Sequence, residues 1–275
     1  MSPISIPGKV TLQKEFIPQS FMYLNPDTFG LWSPSQISTE LWLDAADEST
    51  ITKSGGGVSQ WDDKSGNNYH VSQATAADQP TVSTDAGNAS ILFDGTSDYL
   101  RHNVSGTITY PSSTFIVCRN TDAANAGHVF SVNDSSQSDR YFTLTQRDTS
   151  GQKLFYQSRL PFNSPFISAA SSFNTEIIGA VSNASNDHEL FSNGASVGTD
   201  TNTWPAPSYD NITVGRLRYQ NTAQYFIGHV HEIIWIRQSL NLTTRQKIEG
   251  YLAHKWGLTA NLPSDHPYKL VGPTP

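Results

Sequence analysis

Glu189-Leu190-Phe191 runs into Ser192-Asn193-Gly194 and leaves it through Ala195-Ser196-Val197-Gly198, a strand, a tight turn and a strand. Asn211-Ile212-Thr213-Val214-Gly215 follows, and then the long apolar run from Tyr225 to Ile236, with His229, His231 and Glu232 inside it. A single helical pattern closes the series over about 243–256. Thr243 and Gln246 have the spacing of a capping box, and Ile248, Tyr251, Leu252 and Trp256 share one face. Gly257 suits the residue after the helix, and Pro263 blocks its extension. Gly250 lies inside and costs about 1 kcal/mol relative to alanine, so packing must hold this helix.

Upstream, short strand-like segments recur. They include Leu41-Trp42-Leu43-Asp44, Val58-Ser59-Gln60-Trp61-Asp62, Ile91-Leu92-Phe93-Asp94, Phe115-Ile116-Val117-Cys118, His128-Val129-Phe130-Ser131-Val132 and Ile177-Ile178-Gly179-Ala180-Val181. Gly, Asn, Asp and Ser separate them, as in an all-β sandwich or barrel. A chain of 275 residues buries roughly 70% or more of its unfolded surface, enough for one large core. Charged residues make up only 15%, which suits strands joined by polar turns.

Composition excludes several functions. Seventeen Lys and Arg against 24 Asp and Glu give a net charge of −7, and duplex nucleic acid requires clustered cations. No apolar run approaches the ~20 residues of a membrane-spanning helix. Residues 1–14 lack the basic region and apolar run of a secretion signal, so the chain is expected to stay where it is made or to leave by assembly into a particle. Cys118 is the only cysteine, set in an apolar strand, and reads as a small buried hydrophobe.

Residues 1–36 differ from the rest. Prolines alternate there with apolar residues, among them Ile4, Ile6, Phe16, Ile17, Phe21 and Tyr23, and a solvated linker would be poor in such residues. This segment reads either as an arm docking on a neighbouring subunit or as a strap over its own domain, residues 37–275.

Three stretches carry a family resemblance: Leu41-Trp42-Leu43-Asp44-Ala45-Ala46-Asp47 with Trp61-Asp62-Asp63-Lys64-Ser65-Gly66-Asn67; Gln79-Pro80-Thr81 leading to Leu92-Phe93-Asp94-Gly95-Thr96-Ser97-Asp98-Tyr99-Leu100; and Gly250-Tyr251-Leu252-Ala253-His254-Lys255-Trp256-Gly257-Leu258. Together they resemble the concanavalin A-like (laminin G-like) jelly-roll domains of bacteriophage particle and tail proteins and of marine bacterial surface proteins. The resemblance implies a jelly-roll β-sandwich with one amphipathic C-terminal helix, preceded here by an extended arm. By analogy it implies a non-enzymatic virion component, a decoration protein, fibre or tail-associated subunit. Its partners would be other virion proteins, reached through the arm, and further copies of itself. The alternative is a carbohydrate-binding module for a host glycan, with calcium as the one candidate cofactor; a polysaccharide-cleaving enzyme is the third reading.

Candidate sites follow from these readings. The loop aromatics Trp61, Trp204, Tyr209 and Tyr219 are candidate sugar platforms, and Asp62, Asp63, Asn67 and Asn68 supply hard oxygen atoms for calcium; aromatics packed on their own loops and metal-free Asx turns are the competing readings. His229 and His231, two apart, share a sheet face and would serve a metal pair or hydrogen bonds. Concanavalin-like glucanases place their catalytic acids two and five apart on one strand, and none of the seven glutamates begins that pattern. An acid pair assembled by folding is the remaining route to hydrolysis.

Overall fold

The computed structural model describes residues 32–107, 109–122, 127–134, 141–146, 152–158, 166–204, 206, 208–219 and 222–275. The arm residues Ile4, Ile6, Phe16, Ile17, Phe21 and Tyr23 lie outside them. In chain order the strands are β1 (Leu41–Asp44), β2 (Ile51–Ser54), β3 (Gly57–Trp61), β4 (Val71–Ser72), β5 (Thr81–Asp85), β6 (Asn88–Asp94), β7 (Leu100–Thr107), β8 (Ser112–Asn120), β9 (Phe130–Asn133), β10 (Tyr141–Thr145), β11 (Gln152–Ser158), β12 (Phe166–Ala170), β13 (Glu176–Ala184), β14 (Asp187–Ser192), β15 (Ala195–Asp200), β16 (Ser208–Val214), β17 (Arg216–Tyr219), β18 (Thr222–Tyr225) and β19 (Ile227–Ile236). One helix, α1 (Leu242–Lys255), follows.

These strands form a two-sheet antiparallel sandwich. The first sheet has the order β15-β14-β13-β8-β19-β6-β5, and β1 also pairs with β19. The second runs β12-β11-β10-β9-β16-β7-β4-β3-β2, while β17 and β18 make a separate hairpin. The β14–β15 turn at Asn193-Gly194 has positive φ at both residues, 49° and 82°, the conformation that asparagine followed by glycine favours.

The two sheets differ in how their faces are covered, and the difference is written in their sequences. Strands of the first sheet are apolar at successive positions. Ile116, Cys118, Ile178 and Ala180 face the core between the sheets, while Phe115, Val117, Ile177 and Val181 face α1. A strand covered on both sides needs no polar alternation. In β19 the register shifts at His231: Val230, Ile233 and Trp235 point to the core and Ile234 and Ile236 to the helix. The second sheet alternates instead. Phe130, Val132, Ile212 and Val214 enter the core, while Ser131, Asn133, Asn211 and Thr213 face away from it.

The α1 helix starts one residue earlier than expected, and its cap differs. Asn241 accepts from the Thr244 amide at 2.8 Å, so asparagine, not the Thr243–Gln246 pair, satisfies the free N–H. Ile248, Tyr251, Leu252 and Trp256 pack on the first sheet as the periodicity implied. Gly250 has a packing reason, because a Cβ there would lie 2.5 Å from Tyr268 Cβ. Trp32 belongs to the domain's own packing, edge-on to Tyr251 with ring centroids 6.1 Å apart, and its amide donates to the Pro273 carbonyl at 3.0 Å.

Candidate functional site

Folding does bring an acid pair together, beneath α1. Asp44 and Glu232 are register partners across β1 and β19. Glu232 is fully buried and accepts from Trp42 Nε1, Tyr251 Oη, Trp256 Nε1 and the Lys255 ammonium at 2.7–3.0 Å. Lys255 also reaches Asp44 at 2.6 Å, and Lys64 does so at 3.0 Å. Burial pushes the Glu232 carboxyl up. At Asp44 burial acts in the same sense, but the Lys255 and Lys64 ammoniums outweigh it and hold the carboxyl low. Sealed by two tryptophans and a helix, these acids ground the helix on the sheet and are closed to a polysaccharide.

The aromatics named as sugar platforms are placed otherwise. Trp61 is fully buried in the core. Trp204 is buried as well, stacked on His188 with centroids 4.0 Å apart, and its Nε1 donates to Asp200 at 2.8 Å. Tyr209 is buried edge-on to Trp235. Their apolar area is worth more inside the sandwich than on its loops, so none of the three presents a face to a sugar. Tyr219 ends β17, and its side chain lies outside the described residues.

The calcium candidates take part in the loop's own hydrogen bonds. Asp63 Oδ1 accepts from the Trp42 and Ser65 amides at 2.9 and 2.8 Å, and Oδ2 from Ser65 Oγ and the Tyr69 amide at 2.6 and 3.0 Å. Four hydrogens leave this carboxylate no lone pair for a cation. Asp62 accepts from Gln60 Nε2 at 2.7 Å, and Asn67 Nδ2 donates to the Thr39 and Glu40 carbonyls. The loop's oxygens and amides tie it to the start of β1. Exposed Asn68 adopts φ 61° at its tip, a turn conformation asparagine tolerates. His229 and His231 each have partners: His229 meets Ser90 Oγ at 3.0 Å, and His231 meets the Ala89 carbonyl at 2.8 Å and Asp85 at 3.3 Å. Among the described residues no three His, Cys, Asp or Glu side chains come together as a metal-binding group.

The outer face of the second sheet is different. Registers β9–β16–β7 align Asn133, Asn211 and Asn103 in one row, and Ser131, Thr213 and Arg101 in the next. Asn103 is exposed, Arg101 half-buried, and the other four are buried. Asn133 Nδ2 donates to Ser131 Oγ and Asn211 Oδ1, and Thr213 Oγ1 donates to Asn211 Oδ1 at 2.9 Å. Asn133 Oδ1 is buried with no partner. Ser131 Oγ donates to the Arg216 carbonyl at 2.7 Å, which brings the β17–β18 hairpin against β9. A second clasp joins His128 to Thr143 Oγ1 and Gln224 Oε1 at 2.7 and 2.6 Å. Burial lowers His128 to about 4, so its imidazole is neutral at pH 7.

This arrangement fixes amide and hydroxyl groups across three strands spaced about 4.8 Å apart and presents Asn103 and Arg101 at its surface. Such fixed, convergent donors and acceptors suit a polyhydroxylated ligand. Sequence reasoning passed over these residues because they lie within strands. The signal was available in Phe130-Ser131-Val132-Asn133 and Asn211-Ile212-Thr213-Val214, where every polar position falls on one face.

No protein-family model and no curated protein sequence matches this chain. Solved structures share its fold. Domain 4 of an extracellular arabinanase from Geobacillus stearothermophilus, in complex with arabinotriose, aligns with a TM-score of 0.52 at 10% identity over 66% of this chain and 89% of its own. The ligand-binding domain of botulinum neurotoxin serotype D, in complex with N-acetylneuraminic acid, gives 0.53 at 12% over 77% and 50%. The serotype G binding domain gives 0.54 at 12% over 81% and 51%. The chain thus spans about half the length of the two toxin domains. At such identities the likeness is one of fold alone.

Proposed function

We propose that this protein binds a carbohydrate, without cleaving it, on the outer face of the second sheet. One observation carries the reading: Asn103 is exposed in register with Asn211 and Asn133 across three adjacent strands, with half-buried Arg101 two residues away on the same face. Asn103, exposed at the edge of the row, is the group that a sugar hydroxyl reaches, and the buried network of Asn211, Asn133, Thr213 and Ser131 fixes the strands behind it. The fold shared with domains solved with arabinotriose and N-acetylneuraminic acid supports the same reading. The closed position of the Asp44–Glu232 pair supports binding without hydrolysis.

A glycan array probed with the full chain and with Asn103→Ala tests this. Asn103 is exposed, so the variant folds, and its loss weakens binding about tenfold. Binding to no glycan, or equal binding by both proteins, would overturn the proposal. The virion role rests on the resemblance and the apolar arm, residues 1–36. It has its own test in co-purification with phage particles, before and after removal of the arm.

A further inference from the structure

Nearly every described cation in this acidic protein is engaged. Lys64 and Lys255 pair with Asp44, Arg119 with Asp85, Arg237 with Glu40 and Arg245 with Glu249. Lys247 and Lys269 donate to main-chain carbonyls. Lys53 is exposed on β2, and two arginines stand apart at the border of the polar face. Arg101 projects from β7 in the row of Thr213 and Ser131, with no acidic side chain in ion-pair contact among the described residues. Arg216 opens β17 with its guanidinium 3.5 Å over the Tyr99 ring, and its Nε is buried and unpartnered. Tyr99 precedes Arg101 by two positions, so the two project to the same side about 7 Å apart along the strand.

A guanidinium 91% buried with no carboxylate partner among the described residues is costly unless something anionic completes it. Stacking on Tyr99 fixes the Arg216 plane, and a planar guanidinium fork suits a two-oxygen partner. From this geometry we infer that the bound glycan is acidic, and that its carboxylate is received by Arg101 and Arg216 beside the asparagine row. This rests on the carbohydrate-binding reading and narrows it to one class of sugar. Exposed Asn103 would hold a hydroxyl group of the sugar, while the arginines select its charge.

Matched probes separate the two claims. Titration calorimetry with the full chain would compare sialyllactose with lactose, oligogalacturonate with its methyl ester, and chondroitin sulfate oligosaccharide with its desulfated form. The inference predicts that a carboxylate-bearing sugar binds, that esterification or removal of the acid abolishes binding, and that Arg101→Gln weakens it about tenfold or more. Arg101→Lys, which keeps the charge and loses the fork, should recover only part. Since Arg101 is half exposed, its variants fold, and an unchanged melting temperature confirms this. Equal affinity for the acidic and neutral members of a pair would overturn the inference and leave carbohydrate binding standing. Binding that follows sulfate instead of carboxylate would also overturn it. Binding to none of the probes would remove the inference and count against carbohydrate binding as well.

Discussion

The Lys255 ammonium bridges Asp44 and Glu232, 2.6 Å from the first carboxylate and 2.8 Å from the second, at the point where α1 meets β1 and β19. The three groups come from opposite ends of the chain, and Trp42 and Trp256 close over them. Neither acid tolerates the interior alone, so the lysine makes the site habitable for both. The first and last elements of the domain are locked through this contact.

Replacing Lys255 with methionine keeps the apolar stem and removes the charge. The variant should lose about 3–5 kcal/mol of stability in urea unfolding, the usual cost of leaving buried charges unpaired. The deficit should shrink as pH falls and the two carboxyls take up protons. A loss below about 1 kcal/mol would show that the helix is held by apolar packing alone.

Asp98 and His128 impose opposite pH dependences. Burial, reinforced by Asp94 and Asp78, raises Asp98 from 3.8 to about 6. The folded state therefore holds this proton more tightly than the unfolded chain, so stability from it is complete below about 4 and lost as pH rises through 6. Asp98→Asn keeps the acceptor for the Asp94 amide and should remove that slope. A wild-type slope unchanged in the variant would contradict the assignment.

His128 acts the other way. Its folded value of about 4 lies below the ordinary 6.5, so the unfolded chain gains the proton first. Stability is complete above 6.5 and lost as pH falls towards 4. His128→Gln should flatten this limb in melting temperatures taken across pH 4–7, and a steeper limb would contradict the account.

Gly250 sits mid-helix against Tyr268. Alanine would gain about 1 kcal/mol of helix propensity, but its Cβ must displace the C-terminal tail. Gly250→Ala should therefore destabilise by about 1–3 kcal/mol, and Gly250→Ala with Tyr268→Gly should recover most of that. Stabilisation by the single variant would show that the tail is loosely held.

The sandwich was legible in the sequence because strand alternation and turn residues are local signals. Continuous apolar runs such as Phe115-Ile116-Val117-Cys118 even mark the sheet buried on both faces. The loop aromatics misled for a physical reason: Trp204 lies in a polar segment, yet its ring gains more from stacking on His188 inside the sandwich than from solvent. Composition left the Asp63 loop open between a turn and a calcium site, since carboxylates that order turns and carboxylates that hold calcium look alike in sequence. The asparagine row was hidden because three distant segments supply it, and only the β7–β16–β9 register aligns them.

The most direct test is a crystal structure of the full chain with an oligosaccharide that it binds in solution. The account predicts the sugar against Asn103 and Arg101 on this face, with a hydroxyl hydrogen-bonded to the exposed Asn103 amide. A sugar seated on the Asp62–Asn68 loop, on the α1 side, or on any surface away from the β7–β16–β9 strands would contradict it.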